Sequence, residues 1–212
     1  MKQDAPTEAA PPPLTSRGES TRERILQSAA GVLAEHGYAG STLNDIAERA
    51  GTKAGSLYYY FASREDLIRE IMTRGITETL AHVIAAVDAL EPSASSQDRL
   101  AAAVTAHVRY LLTENDIARA AIRTLGQAPA DVEGPAIELH RDYGRYLSTL
   151  IDDATADGFL DPAIDGRVLR LLIAGALNWS TAWFRPEGPA SVAEIADLAA
   201  RLATGRIAPA PS

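Results

Sequence analysis

The chain has 212 residues, of which 46% are hydrophobic and 23% are charged, and its formal net charge is -8. This length and hydrophobic content can bury a sizeable core and exclude an intrinsically disordered protein. The absence of cysteine excludes disulfides and thiolate metal sites and favours a reducing compartment. No signal segment follows Met1, and no apolar run reaches the roughly 18 residues that a membrane helix needs. We therefore expect a cytoplasmic protein that does not enter a membrane.

The negative charge is unevenly distributed along the chain. Residues 17–74 carry eight basic and eight acidic side chains, so the whole negative excess lies outside this segment. The net charge of the chain disfavours binding to a polyanion such as nucleic acid. Residues 17–74 have no net charge, so this segment would not repel a polyanion. Lys53 is the only lysine beyond the N-terminal tail. Its position indicates a contact with nucleic acid or, alternatively, a chance placement in an arginine-rich chain.

Proline and alanine dominate residues 1–16, which predicts a disordered arm, and residues 204–212 predict a flexible tail. Between them the apolar residues keep helical spacing, and no segment alternates as a strand would. Four pairs of a hydroxyl residue with an acidic residue three positions later predict helix starts: Ser20 with Glu23, Thr42 with Asp45, Ser63 with Asp66, and Ser191 with Glu194.

The first predicted helices have the spacing of a helix-turn-helix. A first helix is predicted from Thr21 to His36, and a short second helix from Leu43 to Ala50. Gly51 supplies the turn before a third helix. Two short helices joined by a glycine-containing turn and packed on a longer one form a DNA-binding head. We therefore predict such a domain over residues 17–64.

The segment from Gly51 to Phe61 predicts one apolar and one polar side. At about 100° per residue, Leu57 and Phe61 fall together on one side of the helix, and Tyr59 falls roughly opposite them. Three consecutive tyrosines, residues 58–60, cannot share one environment, so Tyr59 is expected to point most directly outward. Thr52 is a suitable N-cap for this helix. The free backbone N–H groups after such a cap suit a phosphate or a base edge.

A long fourth helix is predicted to continue to about Leu90 and to join the head to a larger body over residues 65–203. Stretches rich in proline and glycine divide the body into five further helices. Their predicted limits are Gln97 to Thr113, Asp116 to Leu125, Glu133 to Asp157, Asp165 to Phe184, and Ser191 to Ala203. The predicted fold class is therefore all-α, with about nine helices.

Two motifs follow each other in the head: Thr-Leu-x-x-Ile-Ala-x-x-Ala-Gly over residues 42–51 and Gly-Ser-Leu-Tyr-x-x-Phe over residues 55–61. They resemble the DNA-binding head of the tetracycline-repressor (TetR) family of bacterial regulators. The resemblance is specific in sequence from about Thr21 to Met72. In the rest of the chain only the helical architecture is similar. It implies an all-helical homodimer whose heads bind successive major grooves of a palindromic double-stranded DNA operator. The body would dimerise and hold a small-molecule inducer, and no cofactor is implied.

The resemblance also implies which residues of the head bind DNA: Thr42, Asn44, Lys53, Ala54, Ser56, Tyr58, Tyr59, Tyr60 and Arg64. Residues 52, 53, 54 and 60 depart from the family's usual types, so its base preference does not carry over to this chain. Lys53 can reach guanine O6 or N7, or a phosphate. Tyr58 and Tyr60 can reach phosphates through their hydroxyls or pack under the first helix.

Small residues at helical spacing predict a close helix contact in the C-terminal part. This stripe, which we interpret as the dimer interface formed by the last two helices, consists of Leu171, Gly175, Asn178 and Ala182. Trp179 and Trp183 lie one turn apart on the same helix. They pack in the core or in the interface, or one of them stacks on a ligand.

Residues 178–188 are similar to the corresponding segment of regulators of fatty-acid and steroid breakdown that sense acyl-CoA thioesters. The similarity implies an acyl-CoA or other lipid-like inducer, bound by an apolar slot with cations at its mouth. The predicted ligand-binding residues are His107, Tyr110, Leu111, Arg119, Arg123, Tyr143, Leu147 and Trp179, and Arg141 and Arg145 are further candidates for the mouth. These arginines can instead form ordinary ion pairs, and the histidine and tyrosines can be satisfied core residues.

Catalysis finds little support in the sequence. There is no glycine-rich phosphate loop, and the histidines lack the spacing of a metal site: His36, His82, His107 and His140. We predict a ligand-controlled repressor and not an enzyme, with no catalytic or metal-binding residues. The alternative is a helical ligand-binding or partner-binding protein whose head does not read specific DNA.

Overall fold

A computed structural model describes residues 15–113 and 116–206 of the chain. Over these residues the chain forms nine helices and no strand, which confirms the predicted all-α class. The helices are α1 (Ser16–His36), α2 (Leu43–Arg49), α3 (Ala54–Leu57), α4 (Arg64–Asp88), α5 (Ser96–Leu112), α6 (Asp116–Thr124), α7 (Ala130–Ala156), α8 (Gly166–Trp183) and α9 (Val192–Ala203).

The head has an apolar core between α1, α2, α3 and the first half of α4. Its large side chains are fully shielded from solvent because each helix contributes residues at helical spacing: Ile25, Leu26 and Leu33 from α1, Ile46 from α2, Leu57 from α3, and Leu67, Ile68, Ile71 and Met72 from α4. Full burial of one such side chain contributes about 1.5–3 kcal/mol. The segment from Gly51 to Phe61, which we call the recognition segment, therefore packs on a closely packed apolar core.

The core of the head continues into the body without a break. Ile117 and Ala120 of α6 and Val132 of α7 belong to the same buried cluster as the head residues. At the crossing of α4 and α6, a Cβ added to Gly75 would lie 2.6 Å from the Ala121 Cβ and 2.7 Å from the Ile117 carbonyl oxygen. Because glycine allows this approach, α6 packs directly on α4. The predicted division at residues 64 and 65 thus falls within a shared core.

The rest of the body has a second core around α5. This helix packs against α4, α7, α8 and α9. The buried apolar residues come from all five helices, among them Val83 of α4, Leu100 and Val104 of α5, Leu150 and Ile151 of α7, Leu177 of α8, and Ala196 and Ala200 of α9. The long helix α4 contributes side chains to both cores, so a displacement of α4 would affect both.

Most predicted helix starts are confirmed by their caps. Thr42 and Ser191 each form a complete capping box, and the Ser63 hydroxyl accepts a hydrogen bond from the Asp66 N–H at 3.0 Å. The predicted start at Ser20 is wrong, because α1 begins one turn earlier with Thr15 as its N-cap. Sequence reasoning also missed Ser95, which caps α5 by accepting from the Asp98 N–H at 3.1 Å.

The two ends of the chain were only partly predictable. Residues 1–14 of the predicted arm lie outside the described residues, and Ser16 already belongs to α1. The predicted flexible tail is wrong for residues 204–206. Thr204 is buried, and the Arg206 guanidinium donates hydrogen bonds to Gln97 Oε1 at 2.7 Å and Asp98 Oδ1 at 3.0 Å. These long-range contacts fix the end of α9 on α5. The rest of the predicted tail lies outside the described residues.

Candidate nucleic-acid interface and ligand site

The recognition segment presents polar side chains to solvent on the side opposite its buried face. Leu57 and Phe61 are buried, while Tyr59 is 75% exposed and Tyr58 is 58% exposed. The other exposed residues of this surface include Thr42, Asn44, Lys53 and Ser56. The predicted two-sided character is therefore present. Exposed hydroxyl, amide and ammonium groups of this kind suit contacts with phosphates and base edges.

The third helix is shorter than the sequence predicted. It spans Ala54–Leu57, and the following tyrosines form a turn in which the Tyr60 N–H donates to the Leu57 carbonyl oxygen at 2.9 Å. Lys53 occupies the N-cap position without a side-chain capping bond, so the predicted cap at Thr52 is wrong. Gly51, with φ 63°, reverses the chain before Thr52, whose N–H donates to the Ala47 carbonyl oxygen at 2.9 Å.

Two of the predicted DNA residues are turned partly into the head. Ala54 and Tyr60 are half-buried against its core. The Tyr60 ring meets the Tyr59 ring edge-on, with 5.1 Å between centroids, and so supports the most exposed tyrosine of the segment. Tyr58 is not packed under α1, since it is exposed. Tyr60 is thus partly packed against the core of the head, while a phosphate contact of Tyr58 stays a prediction.

Arg64, which the resemblance implied to contact a phosphate, is used inside the head. Its Nε–H donates to the Ser41 carbonyl oxygen at 3.0 Å, and an Nη–H donates to the Tyr38 carbonyl oxygen. The guanidinium also lies 4.5 Å from the centroid of the Tyr38 ring. Because these contacts hold the loop before α2, Arg64 positions the interface from behind.

An ion pair that sequence reasoning missed fixes the recognition segment to the rest of the head. Arg22 of α1 forms a two-fold hydrogen-bonded pair with Glu70 of α4, with 2.7 Å between Nη1 and Oε1. The same guanidinium lies 4.6 Å from the centroid of the Phe61 ring. Arg74 of α4 likewise reaches Glu23 of α1 at 2.7 Å. The partners are 48 and 51 residues apart, so no local pattern could reveal them.

A buried polar cluster lies in the body between α5, α7 and α8. His107 is 2% exposed, and its Nε2 is 3.2 Å from the Asn178 amide oxygen. Because that oxygen only accepts, Nε2 carries the proton, and Nδ1 accepts a hydrogen bond from the Tyr143 hydroxyl. Burial lowers the pKa of His107 to about 4, an effect that the bond to Asn178 partly opposes. Burial also raises the pKa of Tyr143, so all three side chains are uncharged at neutral pH.

Two small cavities, of about 10 Å³ each, adjoin this cluster. One extends to α4 and α6, where its lining is mostly apolar: Gly75, Ile76, Thr79, Ala118, Ala121 and Ile122. The other extends between α7 and α8 and is lined by Gly144, Leu147 and Arg170. Each cavity has room for about one water molecule. A larger molecule would need the surrounding helices to separate.

The structure brings together three of the eight predicted ligand residues, His107, Tyr143 and Leu147, and adds Asn178 to them. The other five lie away from the two cavities. Leu111 is fully buried, Tyr110 donates to Glu78 Oε2 at 3.1 Å, Arg119 pairs with Asp116, and Arg123 and Trp179 are exposed. Of the further candidates, Arg141 and Arg145 also form ion pairs one turn apart on α7.

The predicted dimer stripe does not form one surface. Leu171 and Gly175 are exposed and Ala182 is half-buried, but Asn178 points inward to His107. The exposed side of α8 and α9 carries larger apolar side chains instead: Val168, Leu171, Leu172, Trp179, Trp183, Leu198 and Leu202. We call these seven residues the apolar face. A groove of about 450 Å³ separates α8 from α9 within it. Clusters of exposed apolar side chains are typical of interaction sites.

The described residues contain no helix long and apolar enough to cross a membrane. Nor does the described part of the chain bring three or more histidine or acidic side chains together as metal ligands would be. The fold combines a helix-turn-helix head, whose polar recognition face is free, with a helical body that carries an internal polar cluster. That combination defines a class, namely DNA-binding transcriptional regulators with a separate regulatory body.

Comparison with protein families identifies the class more narrowly. Residues 25–71 match the family of bacterial regulatory proteins described as the tetR family, and residues 93–207 match the tetracyclin repressor-like C-terminal domain. The two matches follow each other along the chain, and the second alone covers more than half of it. The chain therefore belongs to the TetR family, as the motifs of its head predicted.

Individual relatives share this architecture at low sequence identity. The transcriptional repressor KstR2 of Mycobacterium tuberculosis is 24% identical over 184 residues, covering 83% of this chain and 87% of that protein. Its solved structure, that of a ketosteroid transcriptional regulator, covers 92% of this chain and 96% of that chain at a TM-score of 0.76. The fatty acid metabolism regulator protein of Bacillus subtilis is 23% identical over 161 residues, with 76% and 81% covered.

A third similar protein, AibR, has been solved in complex with isovaleryl coenzyme A and operator DNA. It is 22% identical, and the match covers 86% of this chain and 97% of that chain at a TM-score of 0.76. At this identity the likeness concerns the fold. The predicted class of protein, a TetR-type DNA-binding regulator, is confirmed by the two family matches.

Proposed function

We propose that this protein is a homodimeric repressor that binds a palindromic operator and leaves it when an inducer enters the body. The observation that carries the proposal is the free polar face of the recognition segment, with Tyr59 and Tyr58 projecting from a packed apolar base. These rings stand beside the exposed Lys53 and Ser56, and this combination suits contacts with phosphates and base edges.

We assign the DNA contacts to the exposed members of the predicted set. Lys53, Ser56 and Tyr59 project at the recognition segment and reach the major groove, whereas Asn44 at the start of α2 reaches its wall. Thr42 contributes indirectly, since its hydroxyl accepts from the Asp45 N–H at 3.2 Å in the capping box. Tyr58 reaches a phosphate. Ala54, Tyr60 and Arg64 support this surface.

The apolar face on α8 and α9 is the proposed dimer interface. The side chains at its centre are largely exposed in the single chain, 67% for Leu172 and 69% for Trp179. The groove between the two helices suits a helix of a second copy, because its lining is apolar almost throughout. Dimerisation would hold the two heads about 34–36 Å apart, the spacing of successive major grooves.

The inducer site is proposed at the cluster of His107, Tyr143 and Asn178. A molecule larger than water enters only if α4 and α6 move away from α7 and α8, because the existing cavities are so small. A ligand that binds the expanded body shifts the population toward it. Since α6 belongs to the core of the head, this shift changes the spacing of the two heads. A coupling free energy of about 1–3 kcal/mol is typical of such systems.

An acyl-CoA thioester or similar lipid-like catabolite is the proposed inducer. The names of two relatives, a fatty acid regulator and a ketosteroid regulator, support this class, as does the isovaleryl coenzyme A bound to AibR. The apolar side of the cavity next to α4 and α6 suits an acyl chain. We propose no enzymatic activity, and we expect the protein in the cytoplasm because its operator is there.

A mobility-shift titration with the DNA upstream of the protein's own gene tests DNA binding. Lys53→Ala and Tyr59→Ala should each weaken specific binding by about 10- to 100-fold, the usual cost of one base or phosphate contact. Arg145→Ala is the matched control, since it also removes one positive charge but lies on α7, where its side chain is 73% exposed. A phosphate contact of Lys53 would also lower the salt slope by about one.

The alternative function, ligand or partner binding without DNA reading, makes the opposite prediction. If no upstream or selected DNA fragment binds specifically, and the two head variants behave as the control does, the repressor proposal is wrong.

A further inference from the structure

Arg170 of α8 is the one arginine among the described residues that line the two cavities. It is half-buried and lines the cavity between α7 and α8 together with His107 and His140. Among the described residues no carboxylate lies within ion-pair distance of its guanidinium. By contrast Arg119, which the sequence favoured for the mouth of the ligand site, is neutralised by its pair with Asp116. A partly buried cation without a counter-ion costs free energy, which a bound anion would recover.

The helix facing Arg170 leaves room for its side chain. A Cβ added to Gly144 of α7 would lie 2.9 Å from Arg170 Nη1, so the guanidinium rests directly over the backbone of α7. This position keeps the charge at the edge of the cavity and away from bulk solvent on one side. A hydrogen bond from a guanidinium held in this way to an anion is stronger than one at the open surface.

The other titratable groups that line this cavity are uncharged. Burial, followed by the repulsion from Arg170, lowers the pKa of His140, and burial does the same for His107. Tyr143 stays protonated because burial raises its pKa. Among the described residues that line this cavity, Arg170 is therefore the one that carries a full charge at neutral pH.

The lining changes in character along the two cavities. Beside α4 and α6 it is apolar, with Ile76 and Ile122. In the middle lie the neutral amide and imidazole of Asn178 and His107, and at the α7–α8 end lies the cation. An apolar chain, an uncharged polar group such as a carbonyl, and an anion would match this order.

We propose that Arg170 recognises the anionic group of the inducer, a phosphate or a carboxylate, while the uncharged polar group lies at His107 and Asn178. This inference rests on the proposed binding of an inducer by the body. It adds the orientation of that inducer within the two cavities. The apolar end points toward the helices that carry the head.

Thermal unfolding of the full chain, read from the two tryptophans at constant ionic strength, tests the anion site with pyrophosphate as the probe. Pyrophosphate should raise the midpoint of the wild type and of Arg167→Gln but not of Arg170→Gln. Arg167 is the matched control because it is exposed on the same helix one turn away. Without added anion, Arg170→Gln should be at least as stable as the wild type, since it loses an unpaired charge.

Three further probes distinguish the kind of anion: octanoyl-CoA, octanoate and the uncharged octanoyl-N-acetylcysteamine thioester. Arg170→Gln should weaken binding of the probe that carries the recognised anion by about tenfold or more, the usual loss for a charge-assisted hydrogen bond. Loss with octanoyl-CoA indicates a phosphate, and loss with octanoate indicates a carboxylate. The affinity for the uncharged thioester should be unchanged.

The inference is overturned if the wild type and Arg170→Gln respond alike to every anionic probe, or if neither responds to any of them. It is also overturned if Arg170→Gln weakens binding of the uncharged thioester as much as binding of the anionic probes. Release of operator DNA is measured in the same samples. An anion that binds through Arg170 without releasing DNA supports the site and contradicts the proposed induction.

Discussion

The head and the body distribute their polar and apolar groups in opposite ways. In the head, apolar residues such as Leu57 are buried and Tyr59 meets solvent at the end of a polar surface. In the body, His107 is buried with its polar partners, while Leu172 and Trp179 project into solvent. Burying polar groups and exposing apolar ones both cost free energy in an isolated chain. The apolar side chains of the head are thus buried within the chain, partly by α6 and α7, whereas the body exposes apolar side chains that other molecules can cover.

The two regions nevertheless share structure. Ile117 of α6 and Val132 of α7 belong to the core of the head, and Gly75 at the crossing of α4 and α6 also lines a cavity of the body. A change in the cavity therefore displaces residues on which the head is packed. The head and the body are therefore in direct contact along α4 and α6. Substitutions on either side of this contact should show how far the two regions depend on each other.

Leu172→Glu should separate the dimer and weaken operator binding by about 100-fold or more, because the two heads would no longer be held together. A charge placed at the centre of the apolar face is costly to bury. Sedimentation and the mobility shift measure the two effects. Thr149→Glu, at an exposed position on α7, should change neither. A Leu172→Glu protein that remains dimeric would place the interface elsewhere.

Gly75→Val should lower the free energy of unfolding by about 3 kcal/mol. The new side chain meets the Ile117 carbonyl oxygen, which cannot move without shifting α6. Ala85→Val is the control on the exposed side of the same helix as Gly75, and should cost no more than the lower helix propensity of valine, about 0.6 kcal/mol. Both are measured by urea unfolding at one protein concentration. Equal effects would show that α4 and α6 are not tightly packed.

His107 should make the stability of the body depend on pH. Its pKa falls from the ordinary 6.5 to about 4 in the folded state, so between these values the unfolded chain binds the extra proton. The contribution of the neutral His107 to the free energy of unfolding is therefore full above pH 6.5. It decreases as the pH falls to 4, and the total loss is up to about 3 kcal/mol. The difference in unfolding free energy between the wild type and His107→Gln should shrink accordingly over this interval. A constant difference would contradict the buried neutral imidazole.

Gln127→Ala should have the smallest effect, a loss of about 1 kcal/mol. This side chain lies between α6 and α7, where its Oε1 accepts from the Tyr38 N–H of the head at 3.2 Å and its Nε2 donates to the Arg123 carbonyl oxygen at 2.6 Å. Hydrogen exchange of the Tyr38 amide should accelerate. Gln27→Ala, which removes an amide bonded within α1 only, should leave that exchange unchanged.

The head was more predictable from sequence than the body. The burial of Leu57 and Phe61 and the exposure of Tyr59 follow from helical spacing, which needs no knowledge of distant residues. Helical spacing did not predict the environment of a side chain whose partner is far away in the sequence. Asn178 fits a surface stripe by its position on α8, yet it turns toward His107, 71 residues away. Arg64 fits a phosphate contact, yet carbonyl groups before α2 hold it.

Local sequence patterns were enough to predict the helices, the caps at Thr42, Ser63 and Ser191, the two motifs of the head and the class of regulator. These features depend on residues within one or two helical turns of each other, so their signals are local. Only the tertiary structure decided which arginine faces the cavity without a counter-ion, and which apolar side chains stay exposed on α8 and α9. Both depend on how helices far apart in the chain pack together, because burial and ion pairing are fixed by neighbours in space.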